Sequence, residues 1–226
     1  MSNKLKFLII CILILLIGFG FLYCNYHEKR FEVIFFDVGQ GDSALINLPG
    51  NNEILIDGGP DKSVIYKLGK YLPVYNRDIE LMILTHSHSD HVAGLISVLN
   101  RYKVKKVMYT GVEYDSSIYY EFINILEDKG IEILKPEDAD EIRLDDNNIL
   151  DVIYPFINLE EKQFDNQNNS SIVVRLDTLD KDFLFMGDIE VNMEEYILMD
   201  VDKDKLRADI LKAGHHGSST SSGELF

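Results

Sequence analysis

Cysteine is nearly absent from the 226-residue chain: Cys11 and Cys24 are the only two, and both fall in its first 24 residues. The rest has no thiol, which excludes a disulfide framework, a cysteine nucleophile or a thiolate metal site there. Basic residues are also short. Lys and Arg number 22 against 38 Asp and Glu. Residues 1–30 hold four of the basic residues and one acidic residue, so the remainder carries 18 against 37, a net of −19. Such a surface repels polyanions at long range. It argues against high-affinity nucleic-acid binding, which rests mostly on phosphate neutralisation. It leaves room for a metal site acting on a phosphodiester, because bound cations bring local positive charge. Repeats and low-complexity tracts are absent, and histidine is sparse, with six in all.

What is present begins with one long apolar run. Phe7 to Cys24 holds 18 residues without a charge, between Lys4 and Lys6 on one side and Glu28, Lys29 and Arg30 on the other. About 18 to 20 apolar residues can cross a bilayer as a helix. A cleaved signal is the competing reading, but its apolar core is usually about 7–15 residues and ends in small residues. Here the run ends in "GFGFLYCNY", with no Ala-x-Ala site and with bulky Tyr23 before Cys24. Residues 1–30 are therefore read as a transmembrane anchor or signal-like segment, and residues 31–226 as one domain. Basic residues flank both ends of the run, so charge gives only a weak lean on orientation. The expectation is a single-pass cell-membrane protein with its body extracellular. His27, beside the anchor, is read as an ordinary exposed residue.

The body alternates β-rich runs with helical ones. "FEVIFFDVG", "DSALINLP" and "NEILIDGG" read as successive strands punctuated by Gly, Pro and Asn. "DKSVIYKLGKYLP" reads as a helix, "IELMILTHS" as a buried strand, "HVAGLISVLNRY" as a helix, "VKKVMYTG" as a strand, and "SSIYYEFINILEDKG" as a helix stopped by Gly130. Strands "IEILKP", "DEIRLDD" and "NILDVIYP" follow, then a hairpin in "SSIVVRLDTLDKDFLFMGD", a helix in "IEVNMEEYILMD", and a strand entering a Gly/Ser loop in "ADILKAGHHGSS". This order predicts sheets faced by helices, in an α/β or α+β arrangement.

Five of the six histidines fall in two places, each where an apolar strand gives way to a loop: His86, His88 and His91 in "THSHSDH", and His215 with His216. Strand ends present side chains to a shared cleft. His86 and His88, two apart in an extended segment, point to one side. Asp90 and His91 lie where the strand has turned toward the next helix. Imidazole and carboxylate together suit zinc, iron or manganese. Asp188 ends the strand "FLFMGD" and is read either as a cap for the following helix or as a ligand bridging two ions.

The runs "FFDVGQGDSALI", "ILIDGG", "ILTHSHSDHVAGL", "NNSSIVV", "FLFMGD" and "LKAGHHGSSTSS", spread from residue 35 to residue 222, resemble the metallo-β-lactamase superfamily of hydrolases. More narrowly, the chain is similar to the hydrolase domain at the C-terminal side of ComEC-type DNA-uptake proteins and to free-standing relatives of that domain. The resemblance implies a four-layer αββα sandwich with two divalent metal ions, zinc by preference and manganese or iron as alternatives, at the end of the two sheets. It implies His86 and His88 on one ion, Asp90 and His91 on the other, and Asp188 between them. One histidine of the final pair completes the second site. His216 is favoured as that ligand, with His215 contacting substrate or transferring a proton, and the reverse assignment stays open. Asp57 matches an aspartate that braces the ligand loop. Gly39, Gly41 and Asp42 match a loop near the site mouth.

Two departures from the family pattern matter. No histidine lies between His91 and His215; Asn168 or Asn169 stands nearest the position where the wider superfamily has one, which predicts a weakly held first ion. Members of the similar branch also continue for several tens of residues past "HHGS", so the domain is expected to be C-terminally incomplete, with unpaired strand or exposed apolar surface. The expected activity is hydrolysis by metal-activated water, with a phosphodiester, DNA included, as the favoured substrate. Asp90 is expected to orient the water as well as bind metal, and Ser218 and Ser219 to donate hydrogen bonds to substrate. The competing reading is a membrane-anchored accessory protein that binds metal without catalysis.

Overall fold

A computed structural model describes residues 2–26, 31–49, 52–73, 76–138 and 141–226. The junction at residues 27–30, including His27, lies outside the described residues.

Helix α1 (Asn3–Tyr26) takes up the apolar run. Its first turn is capped by Ser2, whose Oγ accepts from the amide of Leu5 at 3.3 Å. At 1.5 Å per residue its 24 residues extend about 36 Å. The window Asn3–Gly20 has a mean hydropathy of 2.1 and none of it is buried, so by length and composition it can cross a membrane.

The body contains two sheets. The first has six strands in chain order: β1 (Glu32–Phe35), β2 (Ala44–Leu48), β3 (Asn52–Ile56), β4 (Asp78–Ile83), β5 (Lys103–Met108) and β6 (Glu132–Leu134). β1 to β3 are antiparallel hairpins, whereas β3 to β6 run parallel. Parallel strands need crossovers, supplied by α2 (Ser63–Tyr71), α3 (Ser89–Leu99) and α4 (Ser117–Lys129). α4 begins at an N-cap serine, Ser116, which accepts from the amide of Tyr119, and ends at left-handed Gly130. The second sheet has β7 (Glu141–Arg143), β8 (Ile149–Tyr154), β9 (Val173–Asp177), β10 (Phe183–Phe185) and β11 (Ile210–Lys212). Its order is β11-β10-β9-β8-β7, antiparallel except for the parallel β10–β11 pair. Helices α5 (Val191–Asp200) and α6 (Lys203–Leu206) lie between β10 and β11 in sequence.

The period of two along the strands sorts side chains into three apolar layers. Leu45, Leu55, Met82 and Leu84 face one way and pack with Val64, Leu68, Leu95, Val98 and Phe122 of α2, α3 and α4. Ile46, Ile54, Ile56, Leu81 and Ile83 face the other way, onto Leu150, Val174, Leu176, Phe183 and Phe185 of the second sheet. The outer face of that sheet, with Ile153, Val173 and Leu184, packs on Ile197 of α5. The result is the expected αββα layering. β11 forms the edge of its sheet, with Ile210 and Leu211 exposed.

The pairing also places the polar motifs. β3 and β4 are parallel neighbours, with Ile56 opposite Ile83, so Asp57 and Thr85–His86 leave the sheet side by side. β10 and β11 are parallel neighbours, with Phe185 opposite Lys212, so Asp188 and Gly214–His216 do the same on the facing sheet.

Candidate metal centre

Asp57 is the hub of the first half. It is buried, it occupies the left-handed region at φ 56°, and its amide bonds to the carbonyl of Ile83 at 2.8 Å. Its carboxylate accepts from the Thr85 amide at 2.8 Å, from Thr85 Oγ1 at 2.7 Å and from His91 Nδ1 at 2.8 Å. These bonds set two tautomers. His91 donates through Nδ1, so once its ring is neutral Nε2 is the nitrogen that presents a lone pair to the centre. The Thr85 hydroxyl donates its hydrogen bond to Asp57, so at 3.2 Å its oxygen accepts from His86 Nδ1, and His86 likewise presents Nε2. His91 Nε2 is buried, and the group that faces it is the Asp188 carboxylate, with Oδ2 at 3.2 Å.

Close backbone packing holds this loop. The Gly58 amide bonds to the carbonyl of His91 at 2.8 Å, and the Gly94 amide to that of Gly59 at 2.9 Å. A Cβ on Gly94 would lie 1.8 Å from the Gly58 oxygen. Gly41, at φ 95°, lets the preceding loop approach equally closely, since a Cβ there would sit 2.0 Å from the Asp90 oxygen. Gly41, Gly58 and Gly59 are thus the contact surface on which the histidine loop and its helix rest.

The donor atoms converge. His86 Nε2 is 3.1 Å from His88 Nδ1 and 3.9 Å from Asp188 Oδ2. Two imidazole nitrogens on one tetrahedral zinc lie about 3.3 Å apart, given bonds of about 2.0–2.1 Å. Asp188 Oδ2 is 3.2 Å from His91 Nε2 and 3.1 Å from His216 Nε2. Asp90 Oδ2 is 3.5 Å from His216 Nε2. Single donor atoms of Asp42, His91, Asp188 and His216 all fall within 4.8 Å of one another. The structure therefore brings together every residue expected as a ligand. It also separates the final pair: His216 points into the cluster, while His215 stands at the mouth with Nδ1 3.2 Å from Glu190 Oε1 and 3.1 Å from Thr220 Oγ1.

The electrostatics call for positive charge. Burial, and then neighbouring His91, push the His86 pKa well below the ordinary imidazole value. Burial also opposes a charge on His91, yet Asp57 and Asp188 raise it to about 10. Hydrogen bonds to Asp188, Asp42 and Asp90 raise His216 to about 11. Against the penalty of burial, His216 and His91 hold Asp188 well below the usual carboxylate range. Protons on these two rings supply the charge that a divalent cation would supply. Nitrogen and carboxylate donors, the facing nitrogens of His86 and His88, and the buried His91 Nε2 set against Asp188 Oδ2 all fit such an ion.

Asp188 is not a helix cap. The N-cap position of α5 is Glu190, with no side-chain capping bond, and the Asp188 carboxylate points to the histidines instead. The amide of Asp188 bonds to Ser171 Oγ at 3.0 Å. Of the two asparagines weighed for the missing histidine, Asn168 faces the site, with Nδ2 3.3 Å from His215 Nε2. Its Oδ1 is buried without a hydrogen-bond partner among the described residues. Asn169 turns away and accepts from the Glu190 amide. Ser218 Oγ is 3.1 Å from Thr220 Oγ1, and Ser219 is exposed.

Sequence reasoning did not find Lys212, Glu190, Thr85 or Tyr114 as parts of this region. Lys212 Nζ donates to the Gly187 carbonyl at 2.8 Å and pairs with Asp42 and Asp188. Tyr114 meets the His88 ring edge-on at 5.2 Å between centroids. A lysine ending the apolar strand "ILK" was a usable signal; the other three become visible only once the loops are folded.

Comparison with known proteins agrees with this architecture. Residues 36–226 match the Metallo-beta-lactamase superfamily. ComE operon protein 3 of Bacillus subtilis is 27% identical over 212 residues, covering 86% of this chain and 26% of that protein. Recombination protein 2 of Haemophilus influenzae is 25% identical over 211 residues, covering 90% of this chain and 23% of that protein. The chain thus spans about a quarter of the length of these relatives. Among solved structures, Zn(2+)-bound PqqB from Methylobacterium extorquens aligns over 69% of this chain and 56% of its own, at 11% identity and a TM-score of 0.45. CmlA, a diiron beta-hydroxylase from Streptomyces venezuelae, aligns over 69% and 29%, at 15% identity and a TM-score of 0.41. With the family match running through both sheets and both histidine loops, the chain belongs to the metallo-beta-lactamase superfamily.

Proposed function

We propose that the protein is a metal-dependent hydrolase that cleaves phosphodiesters with water, DNA among the candidate substrates. The observation that carries this reading is the convergence of three histidines, His86, His91 and His216, on Asp188 Oδ2, with His88 beside His86 and Asp90 beside His216. In this reading His86, His88 and Asp188 hold one ion, with the Asn168 amide oxygen where the superfamily has an imidazole. Asp90, His91, His216 and Asp188 hold the other. A bound divalent cation lowers the pKa of water toward about 7 and stabilises charge on a phosphate oxygen.

The chain's own groups do the rest. Asp90, partly exposed on the rim, orients the attacking water and accepts its hydrogen bond. His215, held by Glu190 and Thr220 on one side and beside Asn168 on the other, is the group assigned to pass a proton to the leaving oxygen. Helix α1 anchors the body to a membrane as a single span, with the body outside. The net charge of −19 beyond residue 30 disfavours long polyanion tracks, so recognition is confined to the few phosphates at the site.

Metal content and cleavage test this together. Purified protein should carry close to two ions per chain after exposure to zinc or manganese, one of them lost first to mild chelation. It should cleave bis(p-nitrophenyl) phosphate or single-stranded DNA. His88→Ala should abolish cleavage. His215→Ala should keep the metal and lose about 10²–10⁴ in rate. Bound metal with no cleavage of any phosphodiester would favour the metal-binding accessory role instead. Resistance to alkaline extraction tests the anchor.

A further inference from the structure

We propose that Lys212 is a positioning residue that keeps Asp42 out of the metal-ligand set and holds Asp188 to a single ligating oxygen. The inference rests on the metal-centre reading above and deepens it.

Asp42 is close enough to be a ligand, since its donor atom falls within 4.8 Å of those of His91, Asp188 and His216. Both of its oxygens are nevertheless engaged elsewhere. Oδ1 lies 3.3 Å from His216 Nδ1, on the ring edge opposite the Nε2 that faces Asp188 and Asp90. Oδ2 forms an ion pair with Lys212 Nζ. An ammonium has three protons to donate, and three acceptors surround this one: Asp42 Oδ2, the Gly187 carbonyl at 2.8 Å, and Asp188 Oδ1 at 3.5 Å. The Lys212 side chain is only 14% exposed, so water competes weakly for these contacts.

The consequence is a division within each carboxylate. Asp188 gives Oδ1 to Lys212 and keeps Oδ2 for the histidines. Asp42 orients His216 through Nδ1, an outer role like that of Asp57 toward His91. The backbone of Asp42 is fixed, because its carbonyl accepts from the Gly59 amide at 2.8 Å and Gly41 packs on Asp90. Only the side chain is free to choose between lysine and cation. Lys212 decides that choice by neutralising Asp42 where it stands and by repelling a cation from that side.

The test uses full-length protein loaded with cobalt(II), with affinity read by chelator competition and geometry by the visible absorption of the ion. Lys212→Met should bind cobalt roughly tenfold more tightly, because one repelling charge is gone and a carboxylate is released. Its spectrum should shift as Asp42 joins the ligand set. Lys212→Arg should keep the parent spectrum. Asp42→Asn should weaken binding by about 10–100-fold through loss of the His216 anchor, and adding it to Lys212→Met should abolish the spectral shift. Melting curves of each variant confirm the fold. A parent that binds cobalt, together with a Lys212→Met protein of unchanged spectrum or weaker binding, overturns this proposal and leaves the metal reading intact. A parent that binds no cobalt, and behaves as His91→Ala does, overturns both.

Discussion

The two loops that carry the clustered histidines are built in opposite ways. The loop at Thr85–His91 is held from within. Thr85, His86, Ser87 and His91 are buried, Asp57 gathers three of the loop's donor groups, and Gly58 and Gly94 let backbone touch backbone. The loop at Gly214–Ser221 is held from outside. His215 and His216 both adopt the left-handed region, at φ 44° and 54°, which costs a non-glycine residue energy that its surroundings must repay. Their side chains are 32% and 26% exposed. What restrains them is polar: Glu190 and Thr220 on His215, Asp42 on His216, and buried Glu194, which accepts from the amides of Ser222 at 2.7 Å and Gly223 at 2.9 Å. A site assembled from one preorganised half and one strapped half places its weaker restraints on the side that binds His216 to the cluster, where local opening is easiest.

The contrast is sharpest at Asp57. Asp57→Ala removes the acceptor of a buried imidazole and a buried threonine, and should cost about 3–5 kcal/mol in denaturant unfolding. Metal should be lost along with stability. A loss below about 1 kcal/mol would show that the first loop is not held as described. Next in size, Gly94→Ala would gain helix propensity in α3 but forces its Cβ against the Gly58 carbonyl. Overpacking of this kind costs about 1–3 kcal/mol, so the variant should melt at lower temperature despite the better helix former. Glu194→Gln is the matching change on the second loop. One of the two accepting oxygens becomes an NH2 donor, so one backbone amide loses its acceptor, at about 1–2 kcal/mol, and the effect should appear as faster amide exchange at Ser222 and Gly223 with little change at His91.

The smallest effect on stability, and a useful one for the site, is pH. His91 and His216 keep their protons up to about 10 and 11. Coordination requires those protons to leave, so metal affinity should rise steadily from pH 6 to pH 9, by about tenfold or more per unit. Flat affinity across that range would place the ion on other donors.

Much of the fold was legible in the sequence. The continuous apolar run "LMIL" through the end of β4 and the glycine that ends α4 each report a local property: burial on two faces, or a left-handed stop. Periodicity reads such features because they depend on neighbours two to four residues away. The candidate site was legible only in part. His86, His88, Asp90 and His91 sit within six positions, and their chemistry is plain from the residue types. Lys212, Glu190 and Glu194 are ordinary charged residues in ordinary contexts, and nothing local separates them from the many others on an acidic chain.

The sequence by itself determined the donor types, the order of strands and helices, and the glycines without which two loops could not touch. The tertiary structure decided which atoms face one another. Parallel pairing of β3 with β4, and of β10 with β11, sets four strand ends side by side across two facing sheets. Only then does Asp57 choose the tautomer of His91, Asp42 that of His216, and Lys212 the free oxygen of Asp188. The physical reason is that a ring nitrogen or a carboxylate oxygen is assigned by the hydrogen bond made at its other end, and those partners lie 34, 174 and 24 residues away in the chain.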